Sequence, residues 1–337
     1  MSNNEYFPHP NSNVDVYRNM SAADRSPVPD KHLQFITVYN DEKAILGASN
    51  MIDRYWSGTV WFFNGCSNFD RKNATIAMRT ESGVCDADFL DKDRFVVTED
   101  SGVIQILEVV QAADTMMPEI RYLKYECQHD DGITSLAIFD NKTHFVTSGL
   151  DYCIKVWHAA ELLAENSFSS CHTGIITSVD VMPKSDSVFA STSLDCDALI
   201  WDIKQSTPAT HLHKKNDNGL TAISWNPSDS HYVAIGAEDG SITLIDLRSP
   251  TAVLFQSTVF SRPVHKLKYH AKRKNLLAAC SDDTVVKVID TSENLDIIYE
   301  NNQHSDFVRG FAWLKDELIT CSWDNSVLKH TLSKLSK

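Results

Sequence analysis

The stretch HTGIITSVDVMPKSDSVFASTSLDCDALIW, residues 172–201, contains three short runs of β-branched and other apolar residues. Turn-forming residues separate the runs, which are too short for stable helices and therefore predict antiparallel strands. Asp195 lies six residues before Trp201, and the same spacing separates Asp151 from Trp157, 44 residues earlier. The stretch is therefore one copy of a repeat.

The repeat extends over most of the chain. The same turn position is expected at Trp56, Asp100, Asp239, Asp283 and Asp324. Successive positions are 41 to 51 residues apart, and a period of about 40–45 residues is typical of the four-stranded blades of WD40 proteins. The seven copies predict an all-β fold, a seven-bladed WD40 β-propeller, with residues 31–334 as a single domain.

The two ends of the chain bear on how the ring closes. Residues 1–30 hold four of the ten prolines and show no sustained period, which predicts an extended or disordered lead-in. The run VLKHTLSK, residues 327–334, is expected to be the third strand of the last blade. We therefore expect the lead-in to supply the missing fourth strand, with DVYRN, residues 15–19, as the best candidate. The alternative is that residues 15–19 stay disordered.

Composition limits the classes of function. The chain has 31 Lys and Arg against 45 Asp and Glu, a net charge of −14, which repels nucleic acid and favours basic protein partners. No basic and apolar leader and no apolar run of membrane-spanning length is present, so neither a signal peptide nor a membrane segment is expected. Eight cysteines without a C-x-x-C pair predict free thiols in a reducing compartment.

The motifs of catalysis and metal binding are missing from the sequence. It has no glycine-rich phosphate loop with Lys, no G-x-S-x-G and no H-E-x-x-H, so we expect neither an enzyme nor a cofactor. His211 and His213 alternate along one predicted strand, but no third ligand lies at a suggestive spacing. A solvated outer strand is therefore favoured over a metal site.

Polar residues that recur once per repeat match a pattern of WD40 families. In these families a His before the first strand, a Ser or Thr on the second, the turn Asp and a Trp on the third form a buried hydrogen-bonded chain. The resemblance implies one such set in His129, Thr147, Asp151 and Trp157, and another in His172, Ser191 or Ser193, Asp195 and Trp201. The last repeat keeps His304 and Asp324 but has His330 in place of Trp. Residues that recur in this way predict a scaffold rather than an active site.

Trp56 is the exception among the turn positions, in DRYWSG, residues 53–58. Asp stabilises a tight turn through hydrogen bonds of its own side chain, and Trp does not. Trp56 is therefore expected either to pack under a neighbouring loop or to anchor a partner, since aromatic residues are enriched among interface anchors.

Several stretches are more selective than the repeat itself. LGASNMIDRYWSGTVWFF (46–63), TESGVCDADF (80–89) and HSDFVRGFAW (304–313) resemble the family of WD-repeat subunits of the methylosome, and the similarity runs from about residue 33 to the end. The resemblance implies a non-catalytic partner of the type II protein arginine methyltransferase, which makes symmetric dimethylarginine on histones and spliceosomal Sm proteins in cytoplasm and nucleus. By this match Trp56 is the inserted anchor, surrounded by Arg54, Tyr55 and Ser57.

Two other functions remain compatible with a WD40 propeller. A histone or peptide reader would bind a basic tail directly at the mouth of the central channel. A substrate adaptor would connect a target protein to a ubiquitin ligase. In the methylosome interpretation, the acidic propeller attracts Arg-rich substrate tails to the neighbouring enzyme.

Overall fold

A computed structural model describes residues 30–52, 55–112, 117–214, 218–249 and 253–332. These ranges form 27 strands and one short 3-10 helix, Arg71–Asn73, and no helix in them is long and apolar enough to cross a bilayer. The strands of the first four blades are β1 His32–Tyr39, β2 Lys43–Ile52, β3 Tyr55–Phe63, β4 Ile76–Thr80; β5 Val84–Phe89, β6 Arg94–Glu99, β7 Val103–Gln111, β8 Pro118–Cys127; β9 Ile133–Ile138, β10 His144–Gly149, β11 Ile154–His158, β12 Leu163–Phe168; and β13 Ile176–Val181, β14 Val188–Ser193, β15 Asp197–Asp202, β16 Thr210–Lys214.

The last three blades continue the same order. Their strands are β17 Leu220–Trp225, β18 Tyr232–Ala237, β19 Ser241–Asp246, β20 Val253–Thr258; β21 Val264–Tyr269, β22 Leu276–Ser281, β23 Val286–Asp290, β24 Asp296–Asn301; and β25 Val308–Leu314, β26 Glu317–Ser322, β27 Val327–Thr331. Each blade is an antiparallel meander, and the seventh has three strands within the described residues. Strand β25 packs against β1, so the ring closes. The predicted all-β, seven-bladed propeller is confirmed.

The core lies between neighbouring blades rather than within one. The first strand of each blade packs against the first strand of the next, around a central channel. The second strands are buried on both faces, as in β22, whereas outer strands such as β4 alternate between exposed and partly buried residues. Large aromatic side chains fill the gaps between the sheets, for example Phe168 of blade 3 against Trp201 of blade 4, with ring centroids 4.8 Å apart. This packing explains why short, separately unstable sheets form one rigid body.

The pairing of strands corrects one predicted turn. In blade 4, Thr192 pairs with Ala198 and the turn residue Asp195 lies three positions after Thr192. In blade 2, Thr98 pairs with Ile104, so the same position falls on Ser101 and not on Asp100. The prediction of Asp100 as the turn residue is therefore wrong by one position. The predicted turn residues of blades 3 to 7 lie where the period places them.

All eight cysteines are free thiols. Three of them, Cys66, Cys280 and Cys321, are buried, whereas Cys127 is exposed. Burial raises the pKa of Cys66 to about 11 and that of Cys280 to about 12. Buried thiols of this kind stay protonated at neutral pH and are poor nucleophiles.

Candidate functional site

The hairpin of β2 and β3 is longer than its counterparts in the other blades. After the bulge of the first strand, Gly47 pairs with Val60, thirteen positions further along. At the corresponding place in blade 4, Thr192 pairs with Ala198, only six positions further along. The first blade therefore carries seven additional residues in this hairpin, and the pairing continues without a break to Ile52 opposite Tyr55.

Trp56 lies within this extension. It pairs with Met51, one rung before the last pair of the hairpin, so it belongs to strand β3. The prediction that Trp56 occupies the position of the turn Asp is therefore wrong, and Asn50 holds that position, three residues after Gly47. The repeat period predicted a turn at Trp56 because the additional residues lengthen strands β2 and β3 rather than the loop between them. Arg54 lies outside the described residues, and Tyr55 and Trp56 are described by their backbone alone, whereas Ser57 is half-buried.

The base of the hairpin is fixed by a buried polar cluster. A carboxylate oxygen of Asp30 accepts hydrogen bonds from Asn50 Nδ2 at 2.6 Å and from Thr59 Oγ1 at 2.7 Å. The backbone N–H of Lys31 donates to Asn50 Oδ1 at 2.8 Å. The signal of this cluster in the sequence is an Asp two residues before the first strand and an Asn in place of the turn Asp. We therefore expect the hairpin to project from a rigid base.

The hairpin also lies directly against blade 2. Ser49 Oγ donates to the carbonyl of Val84 at 2.9 Å. A Cβ atom on Gly58 would lie 2.7 Å from Cγ1 of Val84, in blade 2, and 2.9 Å from the carbonyl oxygen of Ser82, just before it. Only glycine permits this approach, because real Cβ atoms do not come so close to backbone oxygen. The extension is thus supported on one side by the neighbouring blade.

The outer strand β8 of blade 2 exposes an unusual number of large apolar side chains. Tyr122, Tyr125 and Leu123 are 59%, 56% and 40% exposed. Strand β8 packs beside β4, the outer strand of the blade that carries the long hairpin. Partial burial, together with the nearby carboxylates of Glu99 and Glu81, raises the pKa of Tyr122. The side of the propeller formed by blades 1 and 2 is therefore aromatic and acidic.

The polar residues of blades 3 and 4 form the hydrogen-bonded chains that the sequence suggests. In blade 3, Trp157 Nε1 donates to Thr147 Oγ1 at 2.8 Å, and the two nitrogens of His129 lie 2.8 Å from Thr147 Oγ1 and 2.9 Å from Asp151. Blade 4 repeats the geometry: the Oγ of Ser191 lies 2.8 Å from both Trp201 Nε1 and His172 Nε2, and His172 Nδ1 lies 2.9 Å from Asp195. Of the two serines left open, the structure places Ser191 in the chain, and Ser193 Oγ instead accepts from the Asp195 backbone.

Blade 7 completes the same chain with a different last member. His304 bridges Asp324 at 2.9 Å and Thr320 at 2.7 Å. His330 Nε2 lies 2.8 Å from Thr320 Oγ1, where Trp stands in blades 3 and 4, and Tyr299 OH lies 3.0 Å from His330 Nδ1. A neutral His330 protonated on Nε2 satisfies all of these contacts, because it donates to Thr320 and accepts from Tyr299.

The pKa values of the carboxylates in these chains fit a structural role. Burial raises the pKa of Asp151, but the hydrogen bond from His129 and those from the backbone of Cys153 and Asp130 outweigh it, and the pKa lies below its usual value. The pKa of Asp195 is lowered in the same way against the effect of burial. The carboxylates therefore remain ionised acceptors, and each donor is already committed to one acceptor.

Comparison with known proteins extends this structural description. A family model described as Nucleolar protein 10-like, N-terminal domain, matches residues 161–317, and the model of the WD domain, G-beta repeat, matches residues 121–158. Methylosome protein WDR77 of Xenopus laevis is 29% identical over 297 residues, which cover 87% of this chain and 87% of that protein. The chain therefore has the fold of a WD40 propeller and is similar to methylosome protein WDR77 over most of its length.

Other relatives share a smaller part of their length with this chain. Protein transport protein SEC31 of Chaetomium globosum is 25% identical over 272 residues, which are 76% of this chain but 21% of that protein. E3 ubiquitin-protein ligase COP1 of Arabidopsis thaliana is 25% identical over 156 residues, 46% of this chain and 22% of that protein. In these cases the similarity is confined to a minor part of a larger protein.

The central channel of the propeller is a second candidate region. Its mouth is a cavity of about 420 Å³ lined by bulge residues of the first strands, among them Thr134, Thr177, His265 and Arg309. Arg309 Nη1 donates to Asp282 at 2.7 Å, and its guanidinium lies 4.6 Å from the ring centroid of Trp323. The cations at this mouth are thus largely neutralised within the protein.

Proposed function

We propose that this protein is a non-catalytic scaffold subunit that binds and activates the type II protein arginine methyltransferase and helps present Arg-rich substrates to it. The long hairpin of blade 1 is the observation that carries the proposal. It is the part in which this blade departs from the regular repeat, and it holds Trp56 next to its tip. The similarity to methylosome protein WDR77 over 87% of both chains supports the same role.

The geometry of the hairpin suits an interface anchor. Its base is tied to Asp30 and to blade 2, so little conformational entropy would be lost when a partner binds the tip. A Trp inserted into a pocket of a partner commonly dominates the binding energy of an interface. Arg54, next to the tip in sequence, can add directional hydrogen bonds to carboxylates or carbonyls of the enzyme.

The charge of the propeller fits the substrates. A net charge of −14 raises the local concentration of basic tails such as those of histones and Sm proteins, and accelerates their encounter with the enzyme. This contribution falls as salt screens the field over about 8–10 Å. In this proposal the protein acts in cytoplasm and nucleus, where these substrates occur, and has no direct nucleic acid or membrane partner.

Trp56→Ala tests the proposal. We expect the variant to fold normally and to lose most of its complex with the methyltransferase, with a weakening of about 2–4 kcal/mol in binding free energy. Co-purification measures the loss of complex, and titration calorimetry with the purified enzyme measures the change in binding free energy. Tyr152→Ala is the matched control, because Tyr152 is an exposed aromatic residue at the corresponding turn of blade 3. A complex of wild-type affinity in Trp56→Ala would contradict the assignment.

The same experiment distinguishes a second candidate, direct reading of a basic tail at the channel mouth. The acidic residues Asp100 and Asp282 line the mouth, and the apolar side chains Leu150 and Leu194 stand exposed at equivalent positions of blades 3 and 4. A reader would bind an isolated histone peptide without the enzyme and would be unaffected by Trp56→Ala. A ubiquitin-ligase adaptor would instead co-purify with a cullin complex.

A further inference from the structure

Blade 3 brings two histidines and a carboxylate together at one edge. His144 begins strand β10 and His158 ends strand β11, and the two residues pair directly across the sheet. Their rings meet edge to face with centroids 5.1 Å apart. Glu165 Oε2 lies 3.0 Å from His144 Nε2. One ligand atom from each of the three residues lies within 4.8 Å of the others.

The backbone positions Glu165 by a bulge. Val156 pairs with Asn166 and Trp157 with Ala164, so Glu165 is the additional residue between two rungs. A bulge turns its side chain out of the regular alternation. The bulge occurs at the same place in blades 2, 5 and 6, where the residues are Leu123, Leu254 and Ile298. A carboxylate at this position is specific to blade 3 among these four blades.

The histidine pair is equally specific. The corresponding rungs of blades 2, 4, 5, 6 and 7 are Arg94 with Glu108, Val188 with Asp202, Tyr232 with Asp246, Leu276 with Asp290, and Glu317 with Thr331. In blade 3, His144 Nδ1 lies 2.9 Å from Thr143 Oγ1, an outer contact that fixes the ring and leaves Nε2 to face Glu165. His158 Nδ1 is buried and has no hydrogen-bond partner among the described residues.

We propose that His144, His158 and Glu165 bind a zinc ion. Two imidazoles and one carboxylate form a typical set of three protein ligands for Zn²⁺, with a fourth position left to water. Tetrahedral bonds of about 2.0–2.1 Å place donor atoms about 3.3 Å apart, so small side-chain rotations bring the three residues into position. The ring of His158 is available to the ion, because its buried Nδ1 has no hydrogen-bond partner among the described residues.

The site lies at the opposite end of the strands from the turn that holds Asp151, and the tip of the long hairpin lies at the turn end of blade 1. It is therefore independent of the proposed partner-binding hairpin. The backbone there is held in place, because the carbonyl of His158 accepts from Leu162 N at 2.8 Å and that of Thr143 accepts from Ala159 N at 2.8 Å. Bound zinc would clamp outer strand β12 to β10 and β11 and so stabilise the rim of blade 3. The sequence motifs did not indicate it, since its ligands come from three separate strands.

Zinc binding to the purified, chelator-treated full chain tests the proposal. We expect one saturable equivalent of Zn²⁺ by titration calorimetry and a rise in the midpoint of thermal unfolding. Glu165→Gln and His158→Gln should each weaken binding at least tenfold. The matched control is His231→Gln, which removes an exposed His whose Nδ1 lies 2.8 Å from Asp229 Oδ1. It should bind zinc as the wild type does.

Cobalt distinguishes the three-strand site from adventitious binding to thiols. With Co²⁺ in place of zinc, we expect visible d–d bands that Glu165→Gln changes, without a thiolate charge-transfer band. A strong thiolate band, absence of saturable binding, or equal affinity in Glu165→Gln and wild type would overturn the proposal. Far-UV circular dichroism and unfolding midpoints of the metal-free variants verify that a loss of affinity does not come from misfolding.

Discussion

At the scale of single residues, His330 shows how one substitution alters a repeated network. It replaces Trp at the end of the hydrogen-bonded chain of blade 7 and keeps the contact to Thr320. Unlike Trp, it titrates. Burial is the main cause that lowers the pKa of His330 to about 4, and the nearby His304 contributes in the same direction. Blade 7 thus acquires a pH dependence that the Trp-containing blades 3 and 4 lack at this position.

His330 is therefore expected to make the protein less stable as pH falls from about 6.5 to 4. In this range the unfolded chain binds a proton at His330 that the folded protein does not, so the free energy of unfolding decreases by up to about 3 kcal/mol. His330→Gln keeps a donor and an acceptor but does not titrate. Urea unfolding at several pH values should give a smaller loss for this variant. An identical pH dependence of variant and wild type would contradict the argument, whatever other groups titrate.

At the scale of elements, the hairpin of blade 1 depends on its base. Asp30→Ala removes the acceptor shared by Asn50 and Thr59 and leaves two buried donors unsatisfied. We expect a loss of about 1–3 kcal/mol in the free energy of unfolding. Amide hydrogens of the hairpin should exchange faster, while those of the hairpin of β14 and β15 in blade 4 remain unchanged and serve as the internal control. Uniform acceleration across both hairpins would show that Asp30 supports the whole propeller and not this element.

The same element shows what sequence could and could not predict. The period identified seven blades and the turn residues Asp151 and Asp195, because each turn is fixed by local contacts within one blade. The same period wrongly predicted Trp56 in a turn. The seven additional residues continue the ladder of β2 and β3, and nothing in the sequence pattern marks where they are inserted. Strand register depends on which residues pair across the hairpin, and composition does not specify that. The zinc ligands were missed for a related reason, since three strands must align before they meet.

At the scale of the whole molecule, the ring is held together by packing between blades. Each core cluster draws residues from adjacent blades, as where Phe35 and Ile45 of blade 1 pack with Phe89 and Phe95 of blade 2. The seam between the last and first blades is the point at which the two ends of the domain meet, through β25 and β1. The ring therefore closes through this seam.

Blade 7 has three strands among the described residues, with β27 at its outer edge, and residues 15–19 lie outside them. We propose that DVYRN, residues 15–19, pairs with β27 and closes the ring. Val16→Pro should then lower the midpoint of unfolding and promote self-association, because Pro cannot donate to a ladder and an open edge recruits other strands. Ser12→Pro, outside the proposed strand, is the matched control. Equal midpoints and equal sedimentation of the two variants would exclude residues 15–19 as the closing strand.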